Sequence, residues 1–137
     1  MLMKTSLIVV VLTALLACED QSSSTSSDPP IVVSATELIG DYRSNQVAAD
    51  TKYTGKVVLV TGVVRYVGKD DGTPYVALEH DSHLLGSDVH CFFTDSHDNA
   101  LAELSPGMTT TIKGKCDGFG PLSNVMVRGC TIRKPPK

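Results

Sequence analysis

The run Val57-Val-Leu-Val-Thr-Gly-Val-Val-Arg-Tyr-Val67 constrains this chain more than any other segment. It is rich in β-branched residues, which suit a pleated, half-buried surface and lose side-chain freedom in a helix. It is long for a strand. Gly62 interrupts it, the mark of a bulge or a sharp bend. Bending there costs little because glycine has no Cβ to clash. One long strand that turns in the middle can serve both halves of a closed sheet. The turn cluster Gly68-Lys-Asp-Asp-Gly-Thr-Pro74 then ends it.

The remaining elements follow from their punctuation. Tyr75 to Glu79 reads as a second strand, and His80 to Ser87 as a polar loop. Val89, Cys91 and Phe93 alternate with His90 and Phe92, giving a third strand. Asp95 to Leu104 reads as a short helix with Ala100, Leu101 and Leu104 on one face, stopped by Pro106-Gly107. Thr109 to Cys116 is a fourth strand, Gly118 to Asn124 a loop, and Val125 to Ile132 a fifth strand. Upstream, Ser34-Ala-Thr-Glu37 has the spacing of a capping box. Leu38, Ile39 and Tyr42 follow on one face, predicting a helix of about three turns at most. Asn45 and Ala48-Ala49-Asp50 should carry the chain off that helix toward the first strand.

The predicted order is one helix, three strands, a short helix and two strands. That order predicts a mainly β domain: a five-stranded Greek-key barrel of the OB type, with an N-terminal helix and a short helix between strands three and four. A simple antiparallel sandwich is the competitor.

Lys4 precedes an apolar run from Leu7 to Leu16 that closes on Ala17-Cys18. This is the layout of a secretory signal, too short to span a bilayer as a mature helix. Leu15-Leu16-Ala17-Cys18 resembles the bacterial lipobox, which implies cleavage before Cys18 and acyl chains, palmitate among them, on its thiol and new amine. The alternative is an ordinary exported protein cut near Ala17. The lipobox reading makes residues 1–17 a signal peptide and residues 18–33 a lipidated cysteine with a flexible Ser/Pro tether. Residues 34–133 are then the OB-type domain and 134–137 a tail, since Arg133-Lys-Pro-Pro-Lys137 cannot continue a sheet. The mature chain would be a periplasm-facing lipoprotein of the cell envelope, held to the membrane through Cys18. Glu19 and Asp20 leave inner against outer membrane open.

Removing the signal leaves 120 residues, enough for one domain, with 11 Lys/Arg against 15 Asp/Glu. That balance is not the strongly basic one that non-specific nucleic-acid binding favours. The charge is uneven, however. Residues 19–110 carry five basic and fourteen acidic side chains, whereas residues 111–137 carry six basic and only Asp117. Either a basic C-terminal face or a solvated strand edge accounts for this.

Three blocks resemble one family. The first runs from Leu38 through Tyr42, Asn45, Ala49, Lys52-Tyr53 and Gly55-Lys56 to Val60-Thr61-Gly62-Val63. The second is Cys91-Phe92-Phe93, and the third is Leu104, Gly107, Gly114-Lys-Cys-Asp-Gly118, Val125 and Cys130. In this order and spacing, over about residues 34–132, the chain resembles the bacterial OB-fold lipoproteins grouped as tRNA anticodon-binding-like (tRNA_anti-like) proteins. The resemblance implies an OB barrel with an added N-terminal helix. It implies a fold related to anticodon-binding domains, not tRNA binding, because a fold alone does not fix function.

With Cys18 lipidated, Cys91, Cys116 and Cys130 remain, so at most one intramolecular disulfide can form. Cys116 and Cys130 lie on the two arms of the last hairpin and are the preferred pair; closing that loop would contribute about 3 kcal/mol. Cys91 shares its strand face with Val89 and Phe93 and reads as a buried thiol. Cys91–Cys130 is the rival pairing, because strands three and five are neighbours in an OB barrel.

His80, Asp81, His83, Asp88, His90 and Cys91 form the one cluster with metal-like spacing. Surface histidines explain it better, since His90 should point away from Cys91 on a strand. No metal or other cofactor is expected. Nor is an enzyme: GxSxG, HExxH and Walker sequences are missing. OB barrels bind oligonucleotides or oligosaccharides on the face of strands two and three. Aromatics for stacking would be Tyr66, Tyr75, Phe92 and Phe119, with charge from Lys69, Lys113, Lys115 and Arg128. Core aromatics and solvated lysines are the competing account of the same residues. The expected function is an envelope lipoprotein carrying an OB module for an oligonucleotide or oligosaccharide. The alternative is an envelope protein–protein interaction module, with oligomeric state open.

Overall fold

The computed structural model describes residues 28–79, 87–94 and 97–133. The expected signal peptide, the Cys18 anchor, most of the tether, His80, His83 and the tail 134–137 lie outside the described residues. The element order is β1 (Ile31–Ser34), α1 (Ala35–Ser44), α2 (Gln46–Tyr53), β2 (Val57–Asp70), β3 (Thr73–Glu79), β4 (Val89–Phe92), α3 (Asp98–Ala102), β5 (Thr109–Phe119) and β6 (Val125–Arg133). A single 3-10 turn, Pro121–Ser123, joins β5 to β6.

Strand β2 organises the sheet. Its first half, Val57 to Val63, runs antiparallel to β5, and its second half, Val63 to Asp70, runs antiparallel to β3. β3 pairs with β4, β4 runs parallel to β6, and β6 returns to β5. The five strands β2–β6 therefore close on themselves in the OB arrangement, as the element order predicts.

Gly62 is where the strand passes closest to its neighbours. A Cβ there would lie 2.9 Å from the Cβ of Ala35, the first residue of α1, and 3.2 Å from that of Leu78 on β3. The bulge itself falls three residues later, where the β2–β3 register shifts between Val64 and Tyr66. It leaves Arg65 and Tyr66 both outward and returns Val67 to the core side.

The N-terminal region differs from expectation in two ways. Ser34 does cap α1, its Oγ accepting from the Glu37 amide at 3.1 Å, and Ala35, Leu38, Ile39 and Tyr42 form its buried face. Asn45, however, starts a second helix rather than an exit. Its N–H closes α1 on the Asp41 carbonyl while its side chain accepts from the Ala48 amide and caps α2. Order also begins earlier than Ser34, because Ile31–Ser34 runs parallel to the first half of β2.

The two helices seat Tyr42 and Tyr53 over the core. Tyr42 hydroxyl lies 2.8 Å from Thr54 Oγ1 and 3.5 Å from Cys116 Sγ, and its ring packs 4.8 Å from that of Phe119. Tyr53 hydroxyl donates to Asp41 Oδ2 at 2.7 Å, beside Lys52 Nζ at 3.0 Å. That phenol bond first, and the ammonium second, hold the Asp41 carboxyl below its usual range.

The hairpin does not set Cys116 against Cys130, contrary to the preferred pairing. Val127 is the ladder partner of Cys116, and the three thiols Cys91, Cys116 and Cys130 are free and buried. Among the described residues no helix is long and apolar enough to cross a membrane. Gly62→Ala tests the seating of α1 on this strand. Because Ala35 Cβ cannot rotate away, the variant should lose about 1–3 kcal/mol in urea unfolding, and an unchanged midpoint would contradict this packing.

Candidate ligand-binding face

Strand pairing gathers side chains from four strands on the outer face of the barrel. Tyr75 on β3 is the ladder partner of both Gly68 on β2 and Phe92 on β4, while His90 stands opposite Ala77. The rings form a connected strip. Tyr66 and Tyr75 are 5.8 Å apart, Tyr75 and Phe92 5.5 Å in a stacked arrangement, and Tyr75 and His90 5.1 Å. The Arg128 guanidinium, on β6, lies 5.1 Å from the Phe92 ring centroid. Tyr66 is the exposed end of the strip, at 53% exposure, and Phe92 the covered end, at 7%.

Gly68 makes room for Tyr66. A Cβ on Gly68 would fall 2.4 Å from Tyr66 Cε1, so the ring lies directly on the bare backbone of the glycine. The bulge at Arg65 turns Tyr66 to this side; strict alternation from buried Val64 would send it into the core.

Both arginines on this face are engaged by carboxylates. Arg65 contacts both oxygens of Asp88 at 3.2 Å, and Arg128 Nε donates to Asp117 Oδ2 at 2.8 Å. Burial among the rings pushes the His90 imidazole below its ordinary 6.5, with the Asp88 and Asp70 carboxylates pulling the other way. Burial likewise raises the Tyr75 phenol, helped by Tyr66 and the same two carboxylates. The strip can therefore offer flat apolar area with a local electrostatic balance close to neutral.

Of the residues singled out from sequence, Tyr66, Tyr75, Phe92 and Arg128 come together here. Lys115 is the ladder neighbour of Arg128 and borders the strip. Three others do not join it. Lys69 has the core-side phase that the bulge gives Val67 and pairs with Asp98 at 3.4 Å by α3. Phe119 packs on Tyr42, and Lys113 lies farther along β5 opposite Thr131. The sequence gives no signal for Gly68 and reads His90 as a surface histidine; the β2–β3 register reveals the place of the first and the β3–β4 register that of the second. His90 and Cys91 do point to opposite faces of β4, and the described residues contain no group of three or more metal-ligating side chains.

A second concavity, of about 560 Å³, lies between α3 and the ends of β5 and β6, walled by Leu104, Met108 and Ile132. No ring of the strip lines it.

The tRNA_anti-like family model matches residues 1–131. The chain belongs to this family. Among solved structures, one described as a "putative nucleic acid-binding lipoprotein" from Klebsiella pneumoniae is 20% identical, with a TM-score of 0.54 over 75% of this chain and 92% of that one. This likeness supports the OB fold. An OBody bound to hen egg-white lysozyme is 20% identical, with a TM-score of 0.45 over 59% of this chain and 84% of that one. An asparaginyl-tRNA synthetase from Entamoeba histolytica is 14% identical, with a TM-score of 0.44 over 78% of this chain and 25% of that one. No curated protein matches the chain.

Two measurements probe the strip before any ligand is known. Gly68→Ala should displace the Tyr66 ring and shift its NMR resonances while changing stability by no more than about 0.5 kcal/mol, since the clashing atoms end a rotatable side chain. A depressed His90 pKa means that the unfolded chain binds the proton more readily. Stability should therefore fall as pH drops from about 6.5 toward the lower folded value, and His90→Gln should remove that part of the loss. An identical pH profile in the variant would rule His90 out as its source.

Proposed function

We propose that this family member is a lipid-anchored protein of the bacterial cell envelope whose OB barrel binds an oligomeric ligand by stacking. The ring strip Tyr66–Tyr75–Phe92, flanked by His90 and Arg128, carries this reading. Every nucleobase has a π-face, and the apolar face of a sugar ring packs on tyrosine in the same way, so an oligonucleotide or an oligosaccharide fits. The barrel acts as a binding module and not as an enzyme. The Leu-Leu-Ala-Cys18 sequence supports the anchor, with the domain facing the periplasm, and the Klebsiella pneumoniae structure is itself described as a lipoprotein.

The charges shape the ligand preference. Because Asp88 and Asp117 hold Arg65 and Arg128, phosphate contacts contribute less than stacking, and affinity should respond weakly to salt. Asp70 and Asp71, at the β2–β3 turn, favour a second reading, in which the face docks an envelope protein bearing basic side chains.

Fluorescence anisotropy with labelled oligothymidine and with a labelled chitooligosaccharide, at low and moderate salt, separates the readings. Binding should weaken by less than tenfold between about 50 and 200 mM salt, against the far larger loss of a phosphate-driven binder. Tyr66→Ala should cost about 1–3 kcal/mol of affinity. Absence of binding to either probe at low salt would leave the protein-docking reading in its place.

A further inference from the structure

The basic residues of β5 and β6 belong to a face and not to a strand edge, because β5 pairs with β2 on one side and β6 on the other. Alternation with buried Thr110, Ile112, Gly114 and Cys116 turns Lys113 and Lys115 outward. On β6 the phase changes. Val127 and Cys130 are both buried, although residues three apart on a regular strand face opposite sides. Gly129, at a left-handed φ of 62°, stands where the β5–β6 register slips between Lys113 and Lys115. This bulge leaves Arg128, Thr131 and Arg133 all facing out.

The ladders set these side chains in rows. Lys115 stands between Val57 of β2 and Arg128 of β6, and Lys113 between Leu59 and Thr131. Thr111 stands between Thr61 and Arg133, with 2.8 Å between the two threonine hydroxyls. β1 extends the sheet on the far side of β2, where Val32, 74% exposed, is the partner of Leu59. Arg128 is held by Asp117 at 2.8 Å, whereas Lys113, Lys115 and Arg133 have no ion-pair partner among the described residues.

We propose that this outward face of β5, β6, β1 and the first half of β2 rests on the anionic headgroups of a phospholipid bilayer. Lys113 and Lys115 stand about 7 Å apart along β5, a spacing that suits separate headgroups side by side. Exposed Val32 and half-buried Leu59 add apolar surface of the kind that settles at a bilayer interface. None of the outward positions in these rows is aromatic, so a nucleic acid would find phosphate partners there but nothing on which to stack its bases.

The chain enters the domain at the border of this face. Residues 19–30 lead from Cys18 to Ile31, the first residue of β1, and can span at most about 40 Å. A bilayer holding Cys18 is therefore within reach of the face at all times, and a weak charge attraction suffices to orient the barrel. Nearness to the bilayer rests on the anchor proposed above; the charge of the face does not. β3 and β4, which carry Tyr75 and Phe92, lie outside the docked surface.

Lysine acetylation read by mass spectrometry tests the docking. The protein, expressed with its own N-terminal sequence and purified in detergent, is placed in vesicles of phosphatidylcholine alone or mixed with phosphatidylglycerol. Phosphatidylglycerol should slow acetylation of Lys113 and Lys115 at least about threefold, since each cation near an anionic bilayer gains about fivefold in association. Lys52 and Lys69, outside the face, should react equally on both vesicles. Salt at about 1 M, where the screening length falls to about 3 Å, should abolish the difference. The intact mass reads the acyl chains separately. Their absence would refute the anchor alone, and the same footprint at excess vesicle would still read the face. Equal rates at Lys113 and Lys115 on the two vesicles, or equal slowing at Lys52 and Lys69, would overturn the proposal. So would slowing by oligothymidine but not by phosphatidylglycerol, which would make the face a nucleic-acid site.

Discussion

The dual pairing of β2 is the constraint on which the barrel and its outer face depend. One strand pairs with β5 through its first half and β3 through its second, with Val63 belonging to both ladders. The change of partner falls beside Gly62, which lies against the start of α1. Gly62 removes the one atom that would separate strand and helix there. The bulge just beyond it changes the phase of the strand, so that Tyr66 joins Tyr75 outside while Val67 returns to the core side. Closure of the barrel and exposure of the ring strip thus have a common local origin.

The strip derives its character from what surrounds it. Both arginines are already paired with carboxylates, and His90 is pushed toward its neutral form by burial among the rings. A ligand would meet flat rings before it met unpaired charge. This distinguishes the face from a phosphate-tracking groove, in which several uncommitted lysines or arginines line a channel. It also accords with an acidic body whose basic residues concentrate near the C-terminus.

Much of this was legible in the sequence, and the exceptions have physical reasons. Alternation and turn residues revealed five strands in the right order, because each strand has one buried face and a Gly- or Pro-rich boundary. The second helix escaped notice because Asn45 closes one helix and opens the next, two tasks that read identically to an exit turn. β1 escaped because four residues after a Pro-Pro pair have too little pattern to be called a strand. Tyr66, Tyr75, Phe92 and Arg128 could be chosen by residue type, but their convergence depends on register, which is a long-range property. Lys69 and Cys130 went astray for one reason in common: a bulge reverses the facing of every residue beyond it, and neither bulge announces its position in the sequence. Phe119 was drawn into the core by Tyr42, a partner on a helix far away along the chain.

The central claim is that the ring strip on β2, β3 and β4 is the ligand-binding surface. Its most direct test is chemical-shift mapping of the aromatic and backbone resonances during titration with a short oligonucleotide and, separately, a short oligosaccharide. The account predicts the largest changes at Tyr66, Tyr75, His90, Phe92 and Arg128 with at least one of the two. Changes confined to the groove around Leu104, Met108 and Ile132, with the strip unmoved, would contradict it.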